Sequence, residues 1–249
     1  MRCEAIILST EKECVKLTNI DQTDIIELQT TQEKADTKLI LHAYNHLQYT
    51  DQFITIYSPS GDTDVIVLAI ALLRPFSDRV FIIDSHGQNR RYFIIRNIDI
   101  EDTLIQSLIG FHALTGNDFV SSFFRKGKKR CFEVLVKKSK YQNALALLGN
   151  TWDLSEEVFD SIQQFICQMY CLSKKDVNEA RYDMFYKKYQ SHNKIVDMST
   201  LPPCKATLKL HVLRSLYIAT IWKRSIVSKP VLPDMREFGW NLKMVHLLG

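Results

Sequence analysis

Phe53-Ile54-Thr55-Ile56-Tyr57 leads into Ser58-Pro59-Ser60-Gly61-Asp62-Thr63-Asp64, which leads into the mostly apolar residues 65–73. This order reads as a buried strand, a Gly/Pro/Ser loop and a helix closed by Arg74-Pro75. In an open α/β sheet, the loop leaving the carboxyl end of a strand is where ligands bind. Here that loop carries two carboxylates one residue apart, and we read it as a divalent-metal site. Gln32-Glu33-Lys34-Ala35-Asp36-Thr37 before it and Leu114-Thr115-Gly116-Asn117-Asp118 after it hold further acids that can complete such a site.

Working outward, Leu39, Ile40, Ala43 and Leu47 recur at helical spacing, which predicts a helix over 32–47 with its acids in the first turn. Residues 80–83 read as the next strand, and the turn chemistry of Gly87-Gln88-Asn89-Arg90 makes residues 92–95 its hairpin partner. Residues 4–8 and 13–17 read as a hairpin or two short strands. Leu104, Ile105, Leu108 and Phe111 predict a helix over 100–114, and helices are expected over 158–170, 176–189 and 206–225. The tail after Ser228, with Pro230, Pro233 and Gly239, reads as irregular. Alternation of strand and helix in the first half predicts an α/β fold with a mainly parallel sheet. The expected organisation is one domain over 1–150 and an α-helical C-terminal extension over 151–249, divided near Gly149-Asn150.

Hydrophobic residues at 46% and charged residues at 24% are ordinary globular values, which excludes a disordered or collagen-like chain. The six cysteines show neither paired CxxC spacing nor a dense disulfide framework, so free thiols in a reducing compartment are expected. No signal-peptide apolar region opens the chain, and no run approaches the roughly 20 residues that span a bilayer. The chain is therefore expected to be intracellular, with no membrane partner. The net charge of +4 selects no partner, but residues 123–140 hold eight basic residues against one acid, Glu133. The run Arg125-Lys126-Gly127-Lys128-Lys129-Arg130 reads either as a phosphate-binding segment or as a solvated, nuclear-localisation patch.

Glu33-Lys34-Ala35-Asp36-Thr37, Asp62-Thr63-Asp64 and Leu114-Thr115-Gly116-Asn117-Asp118-Phe119, followed by Gly127-Lys128-Lys129, resemble in this order the flap-endonuclease branch of the PIN-like nucleases. More closely, they are similar to PIN-like domains of mobile-element-associated animal proteins, which carry EEADT, DTD and GFHALTGxD segments. The resemblance covers about residues 5 to 249, because the stretch from Leu201-Pro202-Pro203 to Trp222, and Gly239-Trp240, also match. It implies a PIN-like three-layer domain and metal-dependent hydrolysis of phosphodiesters in branched or single-stranded DNA, by a flap-type endonuclease or exonuclease using two Mg²⁺ or Mn²⁺ ions. It further implies that Asp36, Asp62, Asp64 and Asp118 are catalytic metal ligands, with Glu33 an additional candidate. The segment 125–130 would be the phosphate clamp.

Two departures stand against an active site. Lys34 occupies the position of the family's first paired acid, so an ammonium replaces a carboxylate where two cations must be held. The family's first strand, which ends in another acid, has no counterpart ahead of Met1, so a truncated or decayed copy is expected. A catalytically inactive nucleic-acid-binding or protein-interaction module is thus the alternative.

Individually, Asp36 also suits a helix N-terminus, Asp62 an N-cap and Asp118 a turn. His42 and His46, one helical turn apart, lack an evident third zinc ligand and read as packing or solvent-facing residues, and Cys167 and Cys171 as buried apolar ones. A haloacid-dehalogenase-type phosphatase would place its first Asp directly after the strand, whereas Ser58-Pro59-Ser60-Gly61 intervenes here. A glycosyltransferase DxD would leave residues 115–118 unexplained.

Overall fold

The computed structural model of the chain describes residues 6–10, 13–18, 21–58, 62–86, 89–192 and 196–240. Its contacts divide it into two compact units, residues 1–100 with 221–232 and residues 101–220 with 233–249.

The first unit holds all the described strands. β1 (Ile6–Ser9), β2 (Cys14–Leu17) and β3 (Gln22–Asp24) form an antiparallel meander. Cys14, Leu28 and Leu41, with Ile25 against them, make a small core between this meander and α1 (Ala35–Tyr49). β4 (Ile54–Ser58) pairs in parallel with β5 (Val80–His86), and β5 pairs antiparallel with β6 (Asn89–Ile94). The crossover from β4 to β5 contains α2 (Thr63–Leu72), which packs on α1. Ile56, Val80 and Ile82 of the sheet and Leu68, Ala69 and Leu73 of the crossover are buried. Pro59, Ser60 and Gly61 of the loop, Gly87 and Gln88 of the hairpin turn, and Cys3 lie outside the described residues.

The expected three-layer PIN-like domain with a mainly parallel sheet is overturned. Only the β4–β5 pairing is parallel, the strands are split between two three-stranded sheets, and helix predominates among the described residues. A parallel neighbour needs a crossover of a dozen or more residues; the segment holding α2 supplies one between β4 and β5, whereas the segment holding α1 leads from one sheet to the other. The short reversal after β5 can return only antiparallel. The first three strands satisfy their ladder bonds with each other rather than extending the β4–β5 sheet.

Two polar contacts hold this unit together. Buried Gln32, just ahead of α1, donates its side-chain amide to the carbonyls of Ser225 (2.9 Å) and Val227 (2.7 Å), while the Thr30 hydroxyl donates to the Ser228 carbonyl (2.6 Å). Asp84, fully buried near the end of β5, accepts from Arg91 directly across the hairpin, with Nε at 2.9 Å.

The second unit is helical: α3 (Asp102–Leu114), α4 (Lys128–Val136), α5 (Ser139–Leu147), α6 (Glu156–Met169), α7 (Val177–His192) and most of α8 (Lys205–Lys223). Ser155 caps α6 by accepting from the Val158 amide, and Phe159, Ile162, Phe165, Ile166 and Met169 form its buried face. The tail is not merely irregular. A 3-10 turn at Met235–Phe238 and Gly239, with φ +89°, bring Phe238 and Trp240 onto Tyr217, and Arg214 Nε donates to the Gly239 carbonyl at 2.9 Å. Among the described residues, no helix is long and apolar enough to cross a membrane, and Cys14, Cys131, Cys167, Cys171 and Cys204 are free thiols. Cys167 is buried as expected, whereas Cys171 is exposed.

Gly110 of α3 lies directly against α5: a Cβ there would stand 2.1 Å from the Leu145 carbonyl oxygen. Backbone cannot yield as a side-chain tip can, so Gly110→Ala must push the two helices apart. The expected cost is about 1–3 kcal/mol, measured as a fall in Tm of roughly 2–4 °C per kcal/mol.

Candidate metal centre

The segments carrying Asp36 and Asp62-Thr63-Asp64 each become the start of a helix. Lys34 is the N-cap of α1 and places Asp36 in its first turn; Asp62 is the N-cap of α2 and places Asp64 in its first turn. The Asp62 carboxylate accepts the Asp64 amide proton at 2.9 Å, while the Asp62 amide donates to the Ser58 hydroxyl at 3.1 Å. The second bond ties the helix start to the last residue of β4.

As a result, one carboxylate oxygen from each of Asp36, Asp62 and Asp64 lies within 4.8 Å of the others. A cation with metal–oxygen bonds of about 2.0–2.6 Å bridges oxygens up to roughly 4–5 Å apart, so the three can hold a metal ion with little more than side-chain rotation. All three donors are hard carboxylate oxygens, which suits a hard cation and disfavours thiolate-seeking metals. Three carboxylates so close repel one another; the positive ends of α1 and α2 offset part of that repulsion, and a cation would remove more.

Asp36 and Asp62 line an open groove of about 440 Å³ together with Ser58, Tyr57, Lys38 and His42. The Lys38 ammonium donates to the Thr10 carbonyl at 3.1 Å, fastening this side of the groove to the β1–β2 turn. Burial, with help from Lys38, pushes the His42 imidazole below its ordinary pKa. Its Nε2 is enclosed without a hydrogen-bond partner.

The other expected site residues are placed elsewhere. Glu33, exposed ahead of α1, lines a different groove with Thr30 and Lys229. Asp118 belongs to the second unit, where it is exposed on the turn after α3. That turn is built by Asn117, whose side chain accepts from the Phe119 and Val120 amides and donates to the Ala113 carbonyl.

Within the basic run, also in the second unit, each residue has its own setting. Lys128 turns inward, with Nζ 2.6 Å from His112 Nδ1. Lys126 lies over the Tyr170 ring, Arg130 donates to Cys171, and Arg125 lies over the exposed Phe124 ring in a left-handed conformation with φ +55°. Lys129 is exposed, and open space surrounds Gly127, the N-cap of α4.

Ser58, Lys38 and Asp84 were missed from the sequence. An acid closing the apolar strand 80–83 and an arginine opposite it in the hairpin register were the available signal for the Asp84–Arg91 pair.

Asp62 combines two duties that substitution can separate. Asp62→Ala removes the cap and is expected to cost about 0.5–2 kcal/mol, whereas Asp62→Asn keeps a capping oxygen and costs little. A cation held by the cluster would raise the Tm of the parent chain, and both variants should lose that rise, as measured by thermal melts with and without Mn²⁺. Comparison of the chain with protein-family models, with curated proteins and with solved structures returned no match.

Proposed function

We propose that this chain is a metal-dependent nuclease-like protein acting on phosphodiesters of branched or single-stranded DNA. The observation that carries this reading is the convergence of Asp36, Asp62 and Asp64 at the starts of two helices. These acids come from two of the segments that resemble the flap-endonuclease branch, and they are far apart in the chain. Asp36, Asp62 and Asp64 would hold Mg²⁺ or Mn²⁺. Such an ion polarises a phosphoryl oxygen and lowers the pKa of bound water.

The chain's own contribution is to fix the carboxylates on rigid helix starts, so that little reorganisation accompanies reaction. Ser58 holds the Asp62 backbone, and His42 and Lys38 wall the groove. In the second unit, Arg125, Lys129 and Arg130 are exposed and suit contacts to phosphates, which position nucleic acid without reading its sequence. A DNA substrate makes the nucleus the site of action.

A second reading, a catalytically inactive nucleic-acid-binding module, is favoured by Lys34. Lys34 is the N-cap residue of α1, two residues from Asp36, where the resembling nucleases have an acid. The deciding assay is Mn²⁺-dependent cleavage of a 5′-flap DNA by the parent chain, by Lys34→Glu and by Asp62→Asn as the blank. Cleavage by the parent that disappears in the blank and with EDTA is the expected result. Cleavage by Lys34→Glu alone would assign the parent to the inactive module, and no cleavage by any of them would sink the nuclease reading.

A further inference from the structure

Tyr182, Phe185, Tyr186 and Tyr189 of α7 fall at i, i+3, i+4 and i+7, the spacing that puts four side chains on one helix face. Such a face ordinarily faces a core. Here the burial of α7 stops at Val177 and Ala180, and the four rings are 65%, 37%, 49% and 54% exposed. They are also ordered against one another. Tyr182 and Tyr186 stack with centroids 6.2 Å apart and planes 9° apart, and Phe185 and Tyr189 stack at 6.1 Å and 15°. Tyr182 and Phe185 form one wall of a groove of about 300 Å³, completed by Asn178, Arg181, Met198 and Leu201. Arg181 donates to the Pro202 carbonyl, and Lys188 to the Thr200 hydroxyl, so both fasten the opposite wall.

The surroundings are cationic. Lys126 Nζ lies 4.3 Å from the centre of the Tyr170 ring, Arg130 donates to Cys171 in the segment leading into α7, and Lys188 of α7 donates to Thr200; burial chiefly, then Arg130, holds the Lys126 ammonium below its ordinary pKa. Three acids nearby are already engaged, while Glu179, in the first turn of α7, is exposed. Asp183 pairs with Lys174 at 3.0 Å, Asp176 pairs with Lys205 at 3.6 Å, and Asp197 accepts from Ser199 and feels Arg125 and Lys188. Flat rings in parallel beside a basic cluster match the chemistry of single-stranded nucleic acid, whose bases offer π-faces and whose backbone offers phosphates. An apolar protein helix would be met better by aliphatic side chains and would gain nothing from the cations.

We propose that the α7 aromatic face and the adjoining Arg125, Lys126 and Arg130 form a track for single-stranded nucleic acid. Bases stack on the tyrosine and phenylalanine rings, and phosphates lie against the cations. The proposal rests on the nucleic-acid reading above for its partner class, and on no residue of the acidic cluster.

The test is fluorescence anisotropy of the full chain in EDTA, titrated into labelled oligo-dT and oligo-U of roughly 20 nucleotides and a duplex of equal length. Tighter binding of a single strand than of duplex is expected, and the two homopolymers distinguish DNA from RNA. Tyr182→Ala/Tyr186→Ala should weaken binding by about tenfold or more, while Tyr182→Phe/Tyr186→Phe, which keeps the rings, should bind as the parent does. Lys126→Ala/Arg130→Ala should flatten the salt dependence. Binding is read in EDTA, without metal or cleavage, so failure of catalysis and failure of this track give different results. The proposal is overturned if the parent binds no single strand, or if the tyrosine-to-alanine variant binds as tightly as the parent. It is equally overturned if sedimentation shows a self-associated parent that this variant makes monomeric, which would assign the face to a contact between copies of the chain.

Discussion

The first unit depends on where α1 and α2 start. A helix end leaves amide protons without intrahelical partners, and at α2 the Asp62 carboxylate answers that need by accepting from Asp64. The same bond fixes the carboxylate in space, and the Ser58 hydroxyl fixes the backbone that carries it. At α1 no side chain caps the helix; instead the segment ahead of it is pinned by the Gln32 amide. Stability and site therefore share the same atoms. Three carboxylates would not stay together as neighbours on a loose loop, and here two helix starts hold them against their mutual repulsion.

The second unit shows how much of a motif can be architecture. In the stretch from Gly110 to Asp118, Gly110 permits the close passage of α3 over α5, and the Thr115 hydroxyl closes the helix by donating to the Phe111 carbonyl. Gly116 takes φ +111° where a Cβ would meet Ser122 backbone at 2.8 Å, and Asn117 builds the turn that follows. A resemblance carried by these letters is thus a resemblance in backbone course first. The segments around Asp36 and Asp62 differ in this respect, because their acids meet one another.

Periodicity made the local elements legible. α1, α2, α3, the β5–β6 hairpin and the helices α6, α7 and α8 follow from apolar spacing and turn chemistry, and so does the role of Asp62 as an N-cap, whereas α5 was not expected. Which strands share a sheet did not follow. Residues 6–24 and residues 54–94 look alike as short apolar segments, and nothing local says that the first group closes on itself while the second contains the parallel pair. Burial of polar groups was equally hidden. Gln32 reads as a surface residue, and its acceptors lie at Ser225 and Val227. The exposed face of α7 was hidden for the converse reason, since a periodic row of rings reads as core until the fold leaves it outside.

The same Gln32 contact bears on how the chain is made. Its acceptors lie 193 and 195 residues downstream, and residues 221–232 are part of the first unit although the whole helical unit intervenes. At synthesis rates of about 5–20 residues per second, roughly 10–40 s separate the appearance of Gln32 from that of its partners. In the later part of that interval the meander and the β4–β5–β6 sheet are already out of the ribosome, while the segment leading into α1 has no tether. The tether on the segment leading into α1 is thus supplied by residues translated long after it, and a ribosome that stalls between them leaves Gln32 without its acceptors.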